Sequence, residues 1–144
     1  MENEDTIELL RECSAGVKMG IATIEDLLPH VHDEKFQDAL RSSKTTHEEL
    51  YGEISNYLQK YEVPKKEPPI MAKSMAWIKT NMQIRVNDSD KTIANLITDG
   101  CNTGIKSLTS YLNKYKNAKE EIREISRKLI NSEEKLVERL KDYL

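Results

Sequence analysis

Three side chains have the types and positions that could do chemistry. They are His47 in "RSSKTTHEELYGEI", Cys13 in "LLRECSAGVKMG" and Cys101 in "DGCNTG". One imidazole and two thiolates are suitable zinc ligands if all three point to one place. A cysteine beside a histidine could also form a nucleophile pair, given an orienting group and an oxyanion hole. The spacing is not a zinc signature, and two distant cysteines do not make a disulfide scaffold. Both cysteines fall on apolar stripes, where a thiol keeps its proton and is inert. The plainer reading is two buried thiols acting as small hydrophobes and a core histidine bonded to Ser43 or to a backbone group of the first helix.

These residues have to be positioned by helices. Asp5 with Glu8 reads as a capping box. Ile7, Leu10, Cys13, Val17, Ile21, Ile24 and Leu28 then recur at steps of three or four, and Pro29 stops the run. Phe36, Leu40, Ser43, His47, Leu50 and Ile54 form the stripe of a second helix, which ends before the proline-rich "VPKKEPP". Met71, Met75, Ile78 and Met82 mark a shorter third one. Ile93, Ile97, Cys101, Ile105, Leu108 and Leu112 mark a fourth. "NAKE" at 117–120 reads as a capping box with Asn117 as N-cap, opening a fifth helix with Ile122, Ile125, Leu129, Leu136 and Leu140 on one face.

The expected fold is a single all-α domain over 1–144. It is an antiparallel four-helix bundle of helices at about 6–29, 33–61, 90–115 and 118–143, with an extra crossover helix at about 69–86. Counting rise from the turns puts Cys13, Ser43, His47, Cys101, Asn131 and Ser132 near one height at mid-bundle. Gly16 and Gly20, one turn apart, read as close approach to a neighbouring helix. The glycines of "DGCNTG" sit in a helical pattern and do not follow a strand, so they read as tight packing or a small kink and not as a phosphate loop.

Taken together, "LLRECSAGVKMG", "DEKFQDAL", "SMAWIKTNM" and "DSDKTIANLITDGCNTGIKSL" make the chain resemble the ferritin-like superfamily, and in particular small bacterial ferritin-like bundles of uncharacterised function. The resemblance implies a helical bundle, commonly dimeric, and in some members a metal centre. The diiron pattern of that superfamily uses Glu-x-x-His, with carboxylate and imidazole on one helix face. Here Lys44 stands where that glutamate would be, and the fifth helix has no histidine. Glu12, Glu25, Glu133 and Glu134 reach inward only if their helices rotate.

Composition excludes other classes. The net charge is −3 and the chain carries only 6% aromatic residues, so a general electrostatic grip on nucleic acid is not expected. The acidic start "MENEDTIELL" is unlike a secretory leader, and no apolar run reaches membrane length. Cytoplasm is the expected location, with no membrane partner. Lys60, Lys65 and Lys66 should share one end of the bundle with Lys114, Lys116 and Lys119. There they suggest an anion- or partner-binding end, or simply a solvated one. Tyr51, Tyr57, Tyr61, Tyr111 and Tyr115 concentrate toward that same end. They suit a helix-to-helix interface or a cover over the lower core.

The expected function is a non-enzymatic protein, stress-related by the resemblance, that acts as a homodimer or through a protein partner. No cofactor is needed for that role. The alternative is a metal-binding or oxidoreductase protein, with zinc or iron held by Cys13, His47 and Cys101.

Overall fold

In the computed structural model, residues 3–63 and 89–144 are described. Helix α1 is Glu4–Leu27 and α2 is Glu34–Lys60, joined through a 3-10 turn at Leu28–His30. Helix α3 is Asp90–Lys114 and α4 is Glu120–Leu140, with a closing 3-10 turn at Lys141–Tyr143. The four long helices match the expected ones to within about a turn. The expected crossover helix at 69–86 lies outside the described residues.

Hydrogen bonds at the two ends set the directions. At one end Asn3 Nδ2 donates to the Asn117 carbonyl and the Thr6 hydroxyl accepts from Lys119 N–H, so α1 and α4 start together. At the other end Asp90 accepts from the backbone N–H of His32 and of Asp33, so α2 and α3 start together. Helices α1 and α4 therefore run one way and α2 and α3 the other. Helix α2 packs against α1 and α4, and α3 packs against α4. Helices α1 and α3 are neighbours that touch little, and a cleft opens between them.

The caps differ from the sequence expectation. The N-cap of α1 is Asn3, whose Oδ1 accepts from Thr6 N–H at 2.8 Å. Asp5 is already helical and turns its carboxylate to Asn117 N–H, just before α4. Helix α4 has Lys119 as N-cap with no side-chain bond of its own. Thr6, fully buried on α1, instead accepts from the N–H of Lys119 itself. A local four-residue pattern cannot anticipate a cap delivered from another helix.

Helix α2 ends in a Schellman motif. Val63 N–H bonds to the Leu58 carbonyl and Glu62 N–H to that of Gln59. Glu62 takes the left-handed conformation, with φ 55°.

The core has two apolar halves. The upper one gathers Ile24, Phe36, Leu40, Ile97, Leu136 and their neighbours. The lower one gathers Leu10, Val17, Leu50, Leu108, Ile122 and Leu129 with theirs. The five tyrosines of the lower end pack against that lower half, so they cover the monomer's own core. Lys60 and Lys119 both lie over the Tyr61 ring, and Tyr57 and Tyr61 donate to Glu121. Lys65 and Lys66 lie outside the described residues. No helix among the described residues is long and apolar enough to cross a membrane.

Candidate functional site: a cleft with a polar floor

The candidate site lies where the two halves of the core meet. On α2, His47 stands between Leu40 above and Leu50 below. On α4, Glu133 stands between Leu136 and Leu129. On α1, Gly20 stands between Ile24 and Val17. Three helices thus bring their non-apolar stripe residues to one level.

His47 is 1% exposed and both ring nitrogens are engaged. Nδ1 is 2.7 Å from the Ser43 carbonyl, one turn back on α2. A carbonyl only accepts, so Nδ1 carries a proton. Nε2 is 2.8 Å from Glu133 Oε1. The pair therefore shares one further proton, and an imidazolium facing a carboxylate is its ionised form. Burial works against the charge on His47. The hydrogen bond and the charge of Glu133, with the Ser43 carbonyl, outweigh it and raise the pKa above the ordinary value.

Glu133 also accepts from the Cys101 thiol on α3. Burial, then the nearby Glu133 charge, push the Cys101 pKa far up, so it stays a thiol. One carboxylate on α4 thereby ties α2 to α3. The wall from α1 is closed by Gly20. A Cβ there would sit 2.7 Å from His47 Cδ2 and Nε2, so the ring edge rests on the α1 backbone.

The predicted ligand set is not assembled. His47 and Cys101 meet at Glu133 and line the same cleft, whereas Cys13 belongs to the lower core. Its Sγ is 3.0 Å from Ser126 Oγ, and Ser126 in turn donates to the Ile122 carbonyl. Burial pushes the Cys13 thiol up to about 12. Of the other residues expected at this height, Ser43 and Ser132 are buried but Asn131 is exposed.

Among the described residues, no three His, Cys, Asp or Glu side chains are grouped so as to hold a metal ion. His47 Nδ1 is held by the Ser43 carbonyl, and His47 Nε2 and the Cys101 thiol both bond to Glu133. The same facts disfavour a thiol nucleophile: Cys101 faces a carboxylate that holds its proton in place.

Sequence reasoning missed Glu133 as the partner of His47. Its spacing was the available signal, because Leu129, Glu133 and Leu136 step by four and three on one stripe. Glu25 and Glu134 are exposed and stay out of the core, with Glu25 paired to Lys44 at 3.4 Å. Glu12 is half-buried at the lower end of the cleft, where Tyr111 OH donates to it from α3.

The cleft above this floor has a volume of about 550 Å³. Its walls carry Gly16 and Gly20 from α1 and Gly100 and Gly104 from α3, with Met19, Leu96, Ile97 and Leu108 between them. Only Gly20 is needed for packing among the described residues. A Cβ at Gly100 would meet nothing within 4 Å, and those at Gly16 and Gly104 would make ordinary contacts at 3.8 and 3.9 Å.

With the geometry in hand, the fold can be compared with known ones. It is shared with a DUF305 fragment. The crystal structure of that fragment, from Deinococcus radiodurans, matches with a TM-score of 0.77 over 98% of this chain and 95% of that one, at 11% sequence identity. The likeness establishes an all-helical bundle fold and carries no residue of the cleft with it. No family model matches the chain, and no curated protein does.

Proposed function

We propose that the chain is a non-enzymatic binding protein on a ferritin-like scaffold, and that the α1–α3 cleft is its working part, taking a small, mainly apolar molecule. The scaffold reading is supported by the order of helix directions, in which α2 and α3 run parallel, as one long connection in a bundle requires. The observation that carries the binding reading is the cleft that the described residues leave between α1 and α3. Glycine in a helix interior costs roughly 0.8–1 kcal/mol relative to alanine. Gly16, Gly100 and Gly104 carry that cost with no close neighbour among the described residues to explain it, and all three line one cleft. The volume lies within the roughly 300–1,000 Å³ of small-molecule sites, and a few fixed polar groups on an apolar wall are the usual composition.

A neutral solvatochromic dye tests this. The full chain is expected to bind it with a blue shift. Gly100→Leu, which fills the cleft from a position with open space around it, is expected to abolish binding without lowering the melting temperature. Dye bound equally by the variant, or not bound by the parent, overturns the reading. Metal analysis of protein purified without chelator addresses the oxidoreductase alternative. Stoichiometric zinc or iron that disappears in His47→Ala would replace the binding reading with a metal-centred one.

A further inference from the structure

The charges around the cleft select among guests. Its acidic lining residues are Glu12, Asp99 and Glu133, and no lysine or arginine lines it among the described residues. Glu133 is committed to His47 and Cys101. Asp99 is exposed at the rim. Glu12 differs from both: half-buried, it has the Tyr111 hydroxyl as its hydrogen-bond partner. A carboxylate has about four acceptor positions, so one phenol leaves most of them open.

The ammonium of Lys114 lies over the Tyr115 ring at 5.4 Å and contributes least of the groups acting on Glu12. Burial, the largest effect, makes the bare carboxylate costly there, and Glu8 adds to it. A bound cation would offset both.

We infer that the guest is an amphipathic amine, with its protonated nitrogen on the Glu12 carboxylate and its apolar body along the glycine-lined cleft between α1 and α3. This rests on the cleft being the binding site, as proposed above. From Glu12 to Gly20 the α1 axis rises about 12 Å, with Gly16 opening the wall between, which suits an extended chain of roughly ten carbons. The upper reach of the cleft, at Ile24, Leu96 and Ile97, is apolar and takes the far end. A carboxylate headgroup would instead face the like charge of Glu12.

Three probes with the same ten-carbon chain, decylamine, 1-decanol and decanoate, displace the neutral dye from the full chain near neutral pH. Decylamine is expected to bind at least about tenfold tighter than decanol, as a charge-assisted hydrogen bond in a partly dry site provides, and decanoate weaker than decanol. Glu12→Gln is expected to bring the amine to within about threefold of the alcohol, each read against the variant's own dye affinity. Equal binding of the three, or an amine preference that survives Glu12→Gln, overturns the charge assignment while the cleft stands. No dye binding and no displacement by any probe overturns the cleft reading itself, and this inference with it.

Discussion

Glu133 on α4 receives Nε2 of His47 on α2 at 2.8 Å, across a level where the apolar core is interrupted. His47 donates its other ring proton to the Ser43 carbonyl, and Glu133 takes a second donor from Cys101. A buried charge pair with its hydrogen bonds completed resists loss of either member far more than it adds net stability.

Stability should therefore depend on pH through His47. Its folded pKa is raised above the ordinary 6.5. The contribution is fully present below the unfolded value and is lost as pH rises through the folded one. The titratable group acting on the ring is Glu133, which also holds the Cys101 thiol, and α1 presents Gly20, which does not titrate. The urea midpoint is expected to fall as pH rises above the ordinary imidazole range in the parent, with this step absent in Glu133→Gln. At pH 6 that variant should be less stable by about 2–4 kcal/mol, somewhat under the usual cost of breaking a buried pair because Glu133 keeps some solvent contact. A flat profile in the parent would count against the ion pair.

Glycine-to-alanine changes on three helices should differ in sign. Gly20→Ala drives a Cβ into the His47 ring. It should destabilise by about 1–3 kcal/mol, the usual cost of overpacking. Gly52→Ala and Gly100→Ala meet nothing within 4 Å. Each should stabilise by up to about 1 kcal/mol through helix propensity. Thermal melts of the three variants measure both signs together, and a stable Gly20→Ala would contradict the contact.

Thr6→Val should cost about 1–2 kcal/mol, although it is nearly isosteric, because it strips the cap from another helix. The Lys119 N–H loses its acceptor at the start of α4. Hydrogen exchange should locate the effect, with faster exchange in the first turn of α4 and not in α1.

Glu62→Gly should raise stability by up to about 1–2 kcal/mol, the penalty a side chain bears in the left-handed region. The Schellman bonds from Glu62 and Val63 are unaffected by the change. An unchanged or lower urea midpoint would mean that the added freedom of the unfolded chain cancels the relief.

The sequence by itself determined the helices and their buried stripes. From Phe36 to Ile54 each expected core position of α2 is buried, His47 included, and the same holds for Ile122 to Leu140 on α4. Periodicity suffices because a helix with one apolar face has only one way to bury it. It also located His47 in the core and offered Ser43 or a backbone group of the first helix as its partner, of which the Ser43 carbonyl is the one found. Tertiary structure alone decided the rest. Asn131 and Glu133 differ by two steps of about 100° and point to nearly opposite faces, so the stripe of Leu129 and Leu136 favours Glu133 inward, but which helix it meets there is set by packing. Packing brought Glu133 to His47 and placed Cys13 with Ser126 below the site. It also set Thr6 against the start of α4 and held α1 away from α3, leaving the cleft above His47. Each of these depends on which helices become neighbours and at what angle, which the packing of whole faces settles and no local pattern encodes.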